Sequence, residues 1–263
     1  MTLQAHLDER GVLTLRLDRP QKRNAIDDVM MPALIGALET AATDGTRVIV
    51  LEGAGDHFCG GADIVARNAA SDSAKPRAGS IQRRLPNQAH RLIPLLCTVQ
   101  VPVVSKVRGW AAGIGFQIAL ASDFAIAADD ARFWEPFTER GFTPDSAATW
   151  LLPRRVGDVR ARELLLLGRT LSGAEAADWG AIHHAVPEAE LDAAVADVVD
   201  RLASGPTVAL GLTKWLLAAG ASAELNAQLA NEAFALELSS RTEDFRDGLA
   251  AFREKRPPRF EGK

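Results

Sequence analysis

The chain has 263 residues, of which 47% are hydrophobic, and a formal net charge of -4 at pH 7. This composition supports a large buried core, in one large domain or in a core with a small helical appendage. The slightly acidic balance lacks the basic surface typical of nucleic-acid or acidic-membrane binding, so we expect neither partner. The two cysteines, Cys59 and Cys97, have no spaced Cys/His set around them, which argues against disulfides and zinc. With no signal-peptide pattern at the amino terminus, we expect a reducing, cytoplasmic location.

In chain order, the first two-thirds of the sequence alternates short apolar runs with segments of helical periodicity. Strands are predicted at 12–17, 48–51, 103–107 and 124–127, and helices at 27–42, at 82–96 and up to residue 121. Such alternation predicts an α/β arrangement. From about residue 151 onward the pattern is helical almost throughout, which indicates a change of architecture.

Two glycine-rich turns, at 57–64 and 109–117, are the most informative motifs. Each follows an apolar run and leads into a helical pattern, so each can present backbone N–H groups that no helical carbonyl satisfies. Two such donors converging on one point would form an oxyanion hole. Either turn alone would fit a simple tight turn equally well, but the pair in this order is a stronger signal.

Several segments together resemble the enoyl-CoA hydratase/isomerase (crotonase) superfamily: 17–25, 48–63, 109–123, 153–157, 171–180 and 252–260. The resemblance therefore covers nearly the whole chain. It implies a crotonase-like (ClpP/crotonase) α/β fold, a spiral of strand-strand-helix repeats. Residues 1–200 would form the core with the CoA and active sites, and 201–263 a helical region for trimer formation, within a homotrimer or hexamer.

The resemblance also implies an acyl-CoA or enoyl-CoA thioester as the partner, with no cofactor besides coenzyme A as part of the substrate and no metal. The two amides that bind the thioester oxygen would belong to Ala62 and Ile114. An amide donor does not depend on its side chain, so both positions can serve. Ile114 departs from the glycine usual in the family, and its β-branched side chain should narrow the acyl pocket.

The loop at 22–25 matches the place where relatives hold the CoA nucleotide. Lys22 and Arg23 suit a polyanionic phosphate tail, although on sequence alone two such cations fit a solvated turn as well. The remaining CoA-binding positions implied by the resemblance are Ala25, Gly60, Asp63 and Ile64.

Two departures from the family concern the acid and base. Hydratases of this superfamily use a pair of glutamates, and the corresponding positions here are Gln117 and Phe137. Neither side chain exchanges a proton near neutral pH. Ordinary hydration by a glutamate pair is therefore disfavoured.

One carboxylate, Asp145, stands where many hydratases have glycine. Its Pro144-Asp145-Ser146 segment resembles the epoxyphenylacetyl-CoA isomerase branch and related enoyl-CoA isomerases. An aspartate at this place also occurs in 4-chlorobenzoyl-CoA dehalogenases, where it is a nucleophile. Without the family, Asp145 would be interpreted as a helix N-cap.

His90 falls near the active-site histidine of those dehalogenases, although a lone helical histidine is more often simply exposed or satisfied. Phe137 stands where the dehalogenases have a tryptophan, so that likeness is incomplete. Trp134, Phe137, Phe142 and Gln117 are candidates for the acyl pocket, although aromatic residues at such spacing are as often core. Glu135 and Glu139 are alternative bases or surface residues.

The sequence therefore favours an acyl-CoA isomerase that shifts a carbon-carbon double bond, with catalytic Asp145 and His90 as the candidates. Hydration by a non-standard carboxylate and dehalogenase or hydrolase chemistry at Asp145 are the alternatives. A third alternative, from another class, is a CoA-thioester binding protein with little turnover.

Overall fold

The structure is a computed structural model of the chain that describes residues 2–63 and 78–263; Ile64 lies outside these ranges. The strands are β1 (Leu3–Leu7), β2 (Val12–Leu17), β3 (Val48–Gly53), β4 (Val103–Val107), β5 (Trp110–Ala112), β6 (Phe124–Ala128), β7 (Arg132–Trp134), β8 (Leu171–Ser172) and β9 (His184–Val186). The helices are α1 (Met30–Ala41), α2 (Ser80–Arg84), α3 (Ala89–Thr98), α4 (Ile114–Ala121), α5 (Ala148–Leu167), α6 (Gly173–Asp178), α7 (Leu191–Ala203), α8 (Thr207–Gly220), α9 (Leu225–Ser239) and α10 (Glu243–Glu254).

The larger sheet has six strands in the order β1-β2-β3-β4-β6-β9. β1 runs antiparallel to β2, and the other pairings are parallel, with Val12 opposite Val48 and Ile49 opposite Val103. The central strand β3 is buried over its first five residues. That burial explains its continuous apolar run, which is typical of a parallel strand covered on both faces.

A smaller sheet of three strands has the order β5-β7-β8. β5 and β7 are parallel, with Trp110 opposite Arg132, and β7 is antiparallel to β8. This sheet lies at the second glycine-rich turn, because β5 leads directly into Gly113 and helix α4. It therefore fixes the direction in which α4 leaves the turn.

The predicted strands at 12–17 and 103–107 are confirmed to the residue as β2 and β4. The predicted helix at 82–96 is wrong in its continuity: α2 and α3 are separated by a 3-10 turn, Leu85–Asn87. Pro86 lies in that turn and has no N–H to donate to a helix, and the helical backbone is interrupted at Gln88, whose φ of -128° and ψ of -112° are non-helical. The region after residue 151 also contains two short strands, β8 and β9, that the helical pattern concealed.

The expected boundary at residue 200 falls inside α7, which ends at Ala203. Val195, Val199 and Ala203 pack this helix into the core. The three helices that follow bury few residues, but α8 is attached to the core by Lys214, whose Nζ lies 2.7 Å from Asp123 Oδ2. The change in packing therefore comes after Ala203.

Helices α8 to α10 leave many large apolar side chains exposed. These are Leu217, Leu225, Leu229, Phe234, Leu236, Leu238, Phe245, Leu249 and Phe252. Over residues 2–63 and 78–263, no helix combines the length and apolar character needed to cross a membrane.

Candidate active site

The two glycine-rich turns are paired with each other through their backbones. Cys59 N–H donates to the Trp110 carbonyl, and Ala112 N–H donates to the Cys59 carbonyl, both at 2.9 Å. Gly115 lies so close that a Cβ there would be 2.6 Å from the Cys59 carbonyl oxygen. Only glycine permits this approach, so the two turns form one rigid unit.

The N–H of Ala62 points away from the strand-like segment with which Ala62 pairs. Ile26 bonds to the two residues that flank Ala62: Ile26 N–H to the Gly61 carbonyl at 2.8 Å, and Asp63 N–H to the Ile26 carbonyl at 2.9 Å. In a parallel pair the residue between such bonds directs its own N–H to the opposite side. No backbone carbonyl of residues 2–63 or 78–263 accepts a hydrogen bond from it.

Ile114 supplies the second amide. It is the first residue of α4, where N–H groups have no helical acceptor, and its N–H finds no backbone acceptor elsewhere in the described chain either. Ala62 and Ile114 both line one cavity of about 590 Å³. Two donors at one cavity, both without a backbone acceptor in the part of the chain that the structure describes, are the arrangement that an oxyanion hole needs.

Most of the remaining lining of this cavity comes from α2, α3 and the segment 136–146. It brings together His90, Phe137, Phe142 and Asp145 from the predicted site. Among the lining residues that the structure describes, Asp145 is the single carboxylate, and it faces the same cavity as the two amides. Arg84 and Arg140 also line it, and no motif in the sequence marks either one.

Asp145 does not cap a helix. Helix α5 begins at Ala148, its N-cap residue is Ala147, and no side chain caps it. The carboxylate instead accepts a hydrogen bond at Oδ1 from Ser146 Oγ, at 2.8 Å. The N-cap interpretation is therefore wrong, and the carboxylate is available to the cavity.

Gln117 and Glu135 form a buried pair that lies behind the cavity rather than in its lining. Both are fully buried, and Gln117 Nε2 lies 2.7 and 2.8 Å from the two carboxylate oxygens of Glu135. Burial raises the pKa of Glu135 well above its usual range; the hydrogen bond from Gln117 opposes this, and the charge of Asp145 adds to it. The surface interpretation is wrong for Glu135, although Glu139 is exposed.

The elevated pKa means that Glu135 favours its neutral, protonated form, which has an O–H to donate. Gln117 Oε1 is buried without a partner within the described ranges. Turning the Gln117 amide by 180° would place that oxygen where it accepts the Glu135 O–H. The Glu135 proton then has an acceptor, while the Gln117 amide nitrogen moves to the buried position where no described atom accepts its hydrogens.

The aromatic candidates divide into two groups. Phe137 and Phe142 line the cavity and meet edge to face, with ring centroids 5.5 Å apart. Trp134 does not line it: the ring packs 5.8 Å from that of Trp110, and Nε1 donates to the Gly168 carbonyl at 3.1 Å. Phe133 and Trp134 are neighbours on β7 and so point to opposite faces.

The expected CoA loop is held against the first glycine-rich turn. Gly60 N–H donates to the Arg23 carbonyl at 2.6 Å, and both Lys22 and Arg23 are exposed. Asn24, which no sequence pattern singled out, is buried with a left-handed φ of 56°. Its Nδ2 donates to the carbonyls of Ala54 and His57, so it ties the loop to the turn. A polar turn residue that tolerates left-handed backbone is the signal that could have indicated it.

Asp63 and Ala25 are linked through Arg19, which no sequence pattern singled out either. Arg19 Nη2 lies 2.8 Å from the buried Asp63 carboxylate, and Nη1 donates to the Ala25 carbonyl at 2.6 Å. These contacts hold the turn against the loop. Cys59 is a core residue, as its small apolar character indicated; burial raises the pKa of its thiol to about 12.

Comparisons with known proteins show the family and the fold of the chain. The family model described as enoyl-CoA hydratase/isomerase matches residues 8–263. The chain belongs to this family, and its fold is the α/β crotonase fold with C-terminal helices. It is similar to the 1,2-epoxyphenylacetyl-CoA isomerase of Escherichia coli (strain K12), 38% identical over 97% of each chain. It is also similar to 4-chlorobenzoyl coenzyme A dehalogenase-1 of an Arthrobacter species, 32% identical over 93% of this chain and 88% of that protein. Among solved structures, an enoyl-CoA hydratase from Bacillus anthracis superimposes with a TM-score of 0.91 and 28% identity, over 100% of both chains.

Proposed function

We propose that the protein isomerises enoyl-CoA thioesters by moving a carbon-carbon double bond. The observation that carries the proposal is that Asp145 is the single carboxylate in the described lining of the cavity that holds the Ala62 and Ile114 amides. The two N–H groups stabilise the negative charge that develops on the thioester oxygen in the enolate, which lowers the cost of removing the α proton. Asp145 removes that proton and returns it at the γ carbon.

The absence of a glutamate pair favours isomerisation over hydration. Phe137 occupies one glutamate position in the cavity wall, and Gln117, at the other, is engaged with Glu135 behind the wall. Neither side chain activates water. Relatives named an isomerase and a probable enoyl-CoA hydratase are similar at 38% and 37% identity, so the choice rests on the residues of the cavity.

A second candidate is nucleophilic attack by Asp145 on an aryl or acyl thioester. His90 and Asp145 line the same cavity, and a relative at 32% identity is named a 4-chlorobenzoyl-CoA dehalogenase. In that chemistry the carboxylate displaces halide from an aryl carbon to form an aryl ester, or displaces the CoA thiolate from an acyl carbon to form an anhydride. Attack of water on the aspartyl carbonyl carbon then releases the product and places a solvent oxygen in the side chain.

Isotope labelling distinguishes the two candidates. For the isomerase, turnover in deuterium oxide labels the substrate at the α or γ carbon, while turnover in H₂¹⁸O leaves Asp145 unlabelled. Heavy oxygen in the Asp145 carboxylate would instead indicate the nucleophile. No turnover across a panel of enoyl-CoA and aryl-CoA thioesters, together with tight binding, would indicate a binding protein.

The loop at Lys22 and Arg23 is proposed to hold the phosphates of the CoA moiety. Both side chains are exposed. The Arg23 carbonyl accepts a hydrogen bond from the N–H of Gly60, which lines the cavity, so the loop lies beside the cavity. Ala25 and Asp63 would act by holding this loop through Arg19. For this role we expect K22A/R23A to raise KM severalfold without a change in kcat. R23K, which keeps the charge, should leave KM unchanged.

The helices α8 to α10 are proposed to pack against other copies of the chain, in a trimer or a hexamer. Their exposed apolar side chains, such as Leu217 at 74% and Phe252 at 86% exposure, would be buried there. The described cysteines, Cys59 and Cys97, are both free thiols, which fits the proposed cytoplasmic location. Light scattering measures the oligomer; a monomer at micromolar concentration would contradict the assembly.

A further inference from the structure

The backbone immediately after Asp145 adopts an unfavourable conformation at two successive residues. Ser146 has φ of 50° and Ala147 φ of 64°, both in the left-handed region. A Cβ makes this region costly, and glycine enters it far more easily. Both residues nevertheless carry side chains, which raises the question of what the Ser146 side chain does.

Ser146 places its hydroxyl on the catalytic carboxylate. The residue is 2% exposed, and Oγ lies 2.8 Å from Asp145 Oδ1. Because an ionised carboxylate has no hydrogen, the hydroxyl is the donor. Side chains of adjacent residues diverge in regular helices and strands. The left-handed turn at Ser146 is therefore what allows these neighbours to meet.

We propose that Ser146 is a positioning residue that fixes the orientation of the Asp145 carboxylate. The terminal torsion of aspartate is intrinsically broad, so the carboxylate does not orient itself. With Oδ1 occupied by the hydroxyl, Oδ2 is left to take up the substrate proton and release it. This inference rests on the proposed function of Asp145 as the base.

Three variants separate the hydroxyl from the backbone strain. S146A removes the hydroxyl and keeps the Cβ, while S146G removes the hydroxyl and relieves the strain. The matched control, A147G, relieves the strain at the neighbouring residue and keeps the hydroxyl. We expect S146A and S146G to lower kcat for isomerisation by about tenfold with nearly unchanged KM, as for a lost hydrogen bond to a charged group. A147G should retain the kcat of the unmodified protein.

Thermal unfolding and crystal structures complete the test. S146G should unfold at no lower a temperature than S146A, so that its loss of kcat is not a loss of folded protein. In crystals of S146G the Asp145 carboxylate should occupy more than one orientation, whereas in A147G it should keep a single orientation. Unmodified kcat in S146G, or a single unchanged carboxylate orientation in it, would overturn the inference. If the unmodified protein isomerises no enoyl-CoA, the proposed function fails, yet the carboxylate orientations still decide the role of Ser146.

Discussion

The two walls of the cavity supply different kinds of group. The wall with Ala62 and Ile114 contributes backbone N–H groups, held by pairing between two turns. The part of the lining formed by α2, α3 and the segment 136–146, the side-chain wall, contributes side chains, including Phe137 and Asp145. An N–H survives a change of side chain, so isoleucine at position 114 is compatible with the oxyanion hole. Under the proposed function, the thioester site depends on the backbone, whereas the reaction depends on the side-chain wall.

The largest effect is expected at the side-chain wall. D145N removes the base and should lower isomerisation about 10²- to 10⁴-fold, the usual contribution of general acid-base catalysis. Calorimetry should show nearly unchanged affinity for a CoA thioester, because the contacts to the thioester and nucleotide come from other segments. The control is E139Q, which changes an exposed carboxylate on the same segment. Near-normal activity in D145N would refute the base.

A somewhat smaller effect is expected at the backbone wall. A62P removes one N–H and should lower kcat about 10²- to 10³-fold, as in other oxyanion holes. The pairing with Ile26 uses the Gly61 carbonyl and the Asp63 N–H, so proline removes no bond from it. A62S keeps the amide and serves as the control. If circular dichroism shows a folded A62P with unimpaired kcat, Ala62 does not bind the oxyanion.

Rebuilding the glutamate pair tests whether the reaction type depends on the side-chain wall. The unmodified protein should hydrate crotonyl-CoA poorly, and Q117E/F137E should hydrate it better than either single variant, with most of the gain coming from F137E because only position 137 lines the cavity. Q117E places a second carboxyl against buried Glu135 and should lower the free energy of unfolding by roughly 1 to 3 kcal/mol. Adding E135Q should restore that stability. Fast hydration by the unmodified protein would contradict the assignment of positions 117 and 137.

The smallest effect concerns pH. Folding raises the pKa of Glu135 above its ordinary value of 4.5. Above pH 4.5 the unfolded state therefore releases a proton that the folded state keeps. Stability is then fully present below that pH and falls as pH rises toward the folded pKa. Denaturant unfolding of E135Q should show a flatter decline between pH 5 and 8. Identical slopes in the two proteins would mean that Glu135 is ionised when folded.

Sequence patterns predicted the parts of this molecule that depend on local signals. Strands β2 and β4 are short apolar segments with clear ends in the sequence, and Asp145 lies in the short Pro-Asp-Ser motif. The Gln117–Glu135 pair could not be predicted, because neither polar side chain signals burial. Its members are 18 residues apart and meet through the parallel pairing of β5 with β7. Tertiary packing of this kind also turns Trp134 away from the cavity.

The backbone pairing of Cys59 with Ala111 has a consequence for local opening. Separating β5 from the first turn would displace the amides of Ala62 and Ile114, the proposed oxyanion donors, in a single event. Amide hydrogens of Cys59 and Ala112, which are bonded across this pairing, should therefore exchange with solvent only through openings close in free energy to global unfolding. Those of Ala62 and Ile114 should exchange faster and become protected when a thioester binds. Such an opening would therefore remove both proposed donors together, and no state with a single donor in place would bind the enolate at an intermediate affinity.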